Sequence, residues 1–140
     1  MEGAKEVQTP LASKDNLQSN DGSTPVDATE YRKVIGALQY LELARPDIAF
    51  PVNKLAQFMQ KLSTLHWQAT KRLLRYLKLT VNHGILLRST DKLILHGYSD
   101  ANWGGNKTDR TSTSAYLIFF GVIPISWSTR KQRAVTRSST

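Results

Sequence analysis

The residues best placed to do chemistry are one carboxylate and two groups of cations. Asp100 stands in Tyr98-Ser99-Asp100-Ala101-Asn102-Trp103-Gly104-Gly105, where an apolar run stops and a glycine-rich turn begins. Leu93, Leu95 and Gly97 alternate with Ile94, His96 and Tyr98, and this period of two predicts a strand whose end presents Asp100. A carboxylate at a strand end suits a metal or catalytic site, but it also suits a turn, and for an isolated Asp the residue type alone favours the turn. Lys71, Arg72, Arg75 and Lys78 recur three or four residues apart, a spacing that fits a solvated helix face as well as one that contacts phosphates. Arg130, Lys131, Arg133 and Arg137 form a second basic group. His66, His83 and His96 show no metal-ligand spacing and read as structural or surface residues. Trp67 and Trp103 could stack on bases, although packing is the expected role for each.

The rest of the chain bounds what these residues can serve. Its 140 residues, 40% of them hydrophobic, allow one domain or two very small ones with a real core. No run approaches the roughly 18 apolar residues of a membrane span. The first twenty residues carry Glu2, Lys5, Glu6, Lys14 and Asp15 without an apolar block, so no secretory signal is read and an intracellular location is expected. There is no cysteine, which excludes disulfides and thiolate metal sites. The net charge of +8 is uneven: residues 1–30 hold two basic and six acidic side chains, net −4, and the other 17 basic and five acidic residues make the body +12. Such a basic body points to a polyanion, most economically nucleic acid.

Residues 1–28, with Pro10, Pro25, Gly3 and Gly22 among small polar residues, read as a disordered leader or linker. Asp27 or Thr29 can cap a helix over about 29–43, in which Val34, Ile35, Leu38 and Leu41 share a face. Arg45-Pro46-Asp47 interrupts it, and Ile48, Val52, Leu55 and Phe58 mark a second helix whose start Pro51 should kink or postpone. A third helix over about 64–79 has Thr64 as its candidate cap and aligns Leu65, Ala69, Leu73 and Leu77. The period then changes to two. Ile85-Leu86-Leu87 and Leu93-Ile94-Leu95 predict a hairpin, followed by strands at about 114–120 and 122–127, with Pro124 marking an edge or bulge. Three helices followed by four strands predict an α+β fold, with a helical unit over 29–80 and a β unit over 81–140.

Longer stretches carry a resemblance. Tyr31-Arg32-Lys33-Val34-Ile35-Gly36-Ala37-Leu38-Gln39-Tyr40-Leu41, Ala44-Arg45-Pro46-Asp47-Ile48-Ala49-Phe50, His66-Trp67 and Lys71-Arg72-Leu73-Leu74-Arg75-Tyr76-Leu77-Lys78 resemble the polyprotein of copia-type long-terminal-repeat retrotransposons. So do Tyr98-Ser99-Asp100-Ala101-Asn102-Trp103-Gly104, Ser112-Thr113-Ser114, Ile125-Ser126-Trp127-Ser128, Lys131-Gln132 and Ser138-Ser139-Thr140, in the same order. The resemblance implies that the helical part is the connection after the reverse transcriptase palm, and that the strands open a truncated, antiparallel ribonuclease H-like sheet. It further implies that Asp100 matches the first metal-binding carboxylate, with magnesium as the family's cofactor and an RNA:DNA hybrid as its substrate. Such an enzyme holds two divalent ions with several carboxylates.

This chain departs from that pattern. Glu42, Asp47, Asp91 and Asp109 match none of the family's other catalytic acids, Asn102 stands where Asp is usual, and Ala115 where Gly is usual. The palm aspartates are absent, and the sequence given stops at Ser138-Ser139-Thr140, before the family's Glu-bearing helix. The expectation is a remnant without catalysis of its own, working with the remainder of a polyprotein if at all, and with a sheet that lacks part of its cover. Two other readings are a non-specific nucleic-acid-binding module and a secreted effector. For the latter, Arg72-Leu73-Leu74-Arg75 is similar to the host-targeting motif of oomycete effectors, though no signal peptide precedes it.

Overall fold

A computed structural model of the chain describes residues 5, 7–12, 17–18, 22, 27–89, 94–106 and 109–135. Helix α1 (Ala28–Leu41) begins where the Asp27 carboxylate accepts from the Thr29 N–H at 3.0 Å. A single 3-10 turn (Pro46–Ile48) leads into α2 (Ala49–Ala56), and α3 (Thr64–Leu79) follows. Pro51 neither kinks nor delays α2. It sits in the first turn, where a backbone N–H has no partner four residues back to lose. The cap of α3 is Ser63 rather than Thr64: its N–H donates to His66 Nδ1 at 3.1 Å, so the imidazole takes the role that Glu or Gln plays in a capping box.

These helices hold the core. Tyr31, Ile35 and Leu38 of α1, Ile48 of the turn, Val52 and Leu55 of α2, and Ala69 and Leu73 of α3 are buried together with Phe58 and Leu62. Leu17, from the stretch read as a leader, joins the same cluster, and Leu11 packs against it.

Strands β1 (Leu95–Asn102), β2 (Thr113–Phe120) and β3 (Ile123–Lys131) form an antiparallel meander in the order β1-β2-β3. The fold is therefore α+β, with three described strands where four were expected. Ile85-Leu86-Leu87 is not a strand: Leu86 and Leu87 are exposed and the segment has no ladder partner among the described residues, because the run after Leu93 pairs with β2 instead. Residues 90–92 of the intervening loop, and Leu93 of the expected second strand, lie outside the described residues. Pro124 does mark a bulge, at the register shift beside Ile118 and Phe119. Gly121, with φ +60, makes the tight β2–β3 connection that a side chain would strain.

No residue of the three strands is buried. The sheet leans on the helices through β3 and α2, and the Trp127 Nε1–H donates to the Glu42 carbonyl at 2.9 Å.

Candidate functional site

Asp100 occupies the sixth position of β1, opposite Ala115 of β2, which is in turn opposite Thr129 of β3. One step along, Tyr98, Leu117 and Trp127 form a parallel row, and side chains two apart share a face. That face, together with Pro46 and Ala49, borders an open groove of about 270 Å³ with Asp100 on its wall. The carboxylate is exposed, and its Oδ1 accepts from the N–H of the next residue, Ala101, at 2.8 Å.

Two magnesium ions need a cluster of oxygens, and Asp47, Asp109 and Glu42 are engaged elsewhere. Asp47 is bound by Arg45, with Nε to Oδ1 at 2.8 Å and Nη2 to Oδ2 at 2.7 Å, and by the Tyr76 hydroxyl at 2.8 Å. Asp109 accepts from Lys131 and from the Thr111 hydroxyl at 2.6 Å, and these bonds, that from Lys131 foremost, hold its carboxyl down at about 2. Glu42 accepts from Asn53 Nδ2 at 3.1 Å, while burial raises its carboxyl above the ordinary range. Asp91 lies outside the described residues. Among the described residues no group of three His, Cys, Asp or Glu is arranged to hold a metal ion. The donor set around Asp100 therefore does not fit the paired ions of a ribonuclease H.

The two basic groups stand on different elements. On α3, Lys71, Arg75 and Lys78 follow one another at four and three residues along the side away from buried Ala69 and Leu73. Lys71 and Lys78 are exposed, and Lys71 Nζ lies 5.7 Å from the Trp67 ring centroid. Arg72 turns aside and donates to Thr9 Oγ1 at 2.7 Å. Among the described residues none of these four cations forms an ion pair. On β3, Arg130 is exposed near Glu42, whereas the charge of Lys131 is taken up by Asp109. Arg133 is exposed, and Arg137 lies outside the described residues. The effector-like letters Arg72-Leu73-Leu74-Arg75 are one turn of α3, and their Leu73 is fully buried.

Over 137 residues, 98% of its length, the chain is 51% identical to the retrovirus-related Pol polyprotein from transposon RE1 of Arabidopsis thaliana. It is 48% identical, over the same share, to the corresponding polyprotein from transposon RE2 of that plant. This chain belongs to the copia-type retrotransposon Pol polyproteins. It spans 9% of the length of either relative. The Pol segment is also 43% identical, over 79% of its length, to secreted RxLR effector protein 161 of Plasmopara viticola, of which it covers 78%. No family model and no solved structure matches it. No described helix is long and apolar enough to cross a membrane.

Sequence reasoning missed how the Pol segment fixes Arg45. This guanidinium is buried, and besides Asp47 it donates to the Thr80 carbonyl at 2.9 Å and to Thr80 Oγ1 at 2.8 Å. The loop after α1 is thereby tied to the end of α3. Arg-Pro-Asp was the visible signal, but it read as a helix break. The histidines divide. His66 is fully buried and stacked on Phe58, with ring centroids 4.0 Å apart, whereas His83 and His96 are exposed. Trp67 packs on Tyr31 as expected, but Trp103 is 54% exposed rather than packed.

Proposed function

We propose that these 140 residues are the stretch of a retrotransposon Pol polyprotein that joins the post-palm connection to the opening strands of a ribonuclease H-like sheet, and that they do not cleave nucleic acid by themselves. Residues 29–80 form the connection and 81–140 the nuclease-like part. The identity to transposon polyproteins supports the first half of this reading, and an antiparallel meander with a carboxylate on its first strand suits the second. The observation that carries the lack of activity is the isolation of Asp100 from the other described acids. The purified chain, given a labelled RNA:DNA hybrid and magnesium, should leave it intact. Cleavage that disappears in Asp100→Asn would refute the proposal.

A second role is compatible with the first. The row Lys71, Arg75 and Lys78, which forms no ion pair among the described residues, suits the sequence-independent holding of a nucleic-acid backbone, because cations there release counterions from phosphates. The effector reading has less support. Its motif has a leucine in the core, and the polyprotein relatives match more of the chain at higher identity.

A further inference from the structure

We infer that Thr9 is a phosphorylation site, and that its phosphate closes a half-filled fork on Arg72 of α3. The two residues lie 63 apart in the chain, yet Arg72 Nη2 donates to Thr9 Oγ1 at 2.7 Å. The Arg72 Nε–H belongs to the same edge of the planar guanidinium. It is covered from solvent and has no acceptor among the described residues. A filled fork stands elsewhere in this protein, where Arg45 sets Nε on Asp47 Oδ1 at 2.8 Å and Nη2 on Oδ2 at 2.7 Å. Two oxygens on one centre satisfy such an edge, and a hydroxyl brings only one. A phosphate on Thr9 brings three, at the place the guanidinium already reaches.

The local sequence suits the transfer. Pro10 biases Thr9 toward extended backbone, and residues 8–11 form a bend that belongs to no helix or strand. Leu11 packs on the helical core, which keeps the Thr9 hydroxyl beside α3. A proline-directed kinase moves the γ-phosphoryl group of ATP to Oγ1. The Oγ1–P bond forms as the bond from that phosphorus to the bridging oxygen breaks, ADP leaves, and the hydroxyl proton passes to the kinase's base. The new group carries about −1.5 to −2 at neutral pH. Set against Arg72, with Arg75 one turn along α3, it relieves the repulsion between these like charges. The same charge opposes a nucleic-acid backbone. On the nucleic-acid reading of α3 given above, on which this step rests, the modification turns duplex binding down.

The sequence holds one other Thr-Pro pair, Thr24-Pro25, so the experiment starts from Thr24→Ala. A proline-directed kinase with labelled ATP should label this chain and leave it unlabelled once Thr9→Ala is added. Phosphorus NMR then reads the state of the phosphate. Its second protonation, ordinarily near pH of about 6, should fall by about one unit in the fork, because a bound cation favours the dianion. Adding Arg72→Gln should return it to about 6. At low salt the phosphorylated chain should bind a nucleic-acid duplex about tenfold more weakly than the unmodified one. The inference fails if Thr9 takes no label, or if the titration of its phosphate ignores Arg72→Gln. Equal duplex binding before and after labelling removes the switch. An unmodified chain that binds no duplex refutes the nucleic-acid reading of α3 instead, and the phosphate titration still decides whether the fork is filled.

Discussion

Arg45 is the side chain on which the helical half closes, since one buried guanidinium meets Asp47 and both oxygens of Thr80. Its hydrogen bonds come first, and with Tyr76 they hold the Asp47 carboxyl below its ordinary 3.8. A carboxyl depressed in the folded state stabilises the fold above the unfolded value, and that contribution fades as pH falls through the folded one. Asp47→Asn, which leaves Arg45 buried without its counter-charge, should cost roughly 3 kcal/mol at neutral pH. The gap to wild type should narrow below pH of about 4. Urea denaturation at both pH values measures it. The network was illegible in the sequence because Tyr76 and Thr80 lie some thirty residues from the motif they complete. The role of His66 was hidden likewise, since a histidine three residues after a serine does not resemble a capping box until the helix is seen.

Among the elements, α3 was the most legible. Ala69 and Leu73 recur at helical spacing and are buried, although Leu65, read on the same face, is 42% exposed. The basic residues fall on the remaining surface, where like charges on adjacent turns oppose the helix by a few tenths of a kcal/mol per pair. An anion relieves that cost. Binding to a nucleic-acid duplex should weaken as salt rises, and replacing Lys71, Arg75 and Lys78 with Gln should flatten the logarithmic salt dependence by about one unit per cation. A slope unchanged in the triple variant would remove α3 from the interface. The segment at 85–87 was misread because a short apolar run has no period of its own, and only a partner strand makes it β.

At the scale of the whole molecule, stability and chemistry are separated. The core lies among the helices, while β1 to β3 contribute no buried residue. Leu73→Ala should therefore cost about 2–5 kcal/mol, and Ile118→Ala less than about 1. Equal losses in thermal unfolding would show that the sheet carries as much of the fold as the helices do. The order of helices before strands was legible from periodicity. Periodicity alone did not reveal the uneven core, since Leu117, Phe119 and Trp127 look as apolar as the residues that are buried; the family resemblance did predict a sheet short of cover, and all three are only half-buried.

Central to the account is that Asp100 alone cannot hold divalent ions. Isothermal calorimetry of the wild type with magnesium tests this directly. We expect no saturable binding. Saturable binding at millimolar magnesium or below, lost in Asp100→Asn, would contradict it.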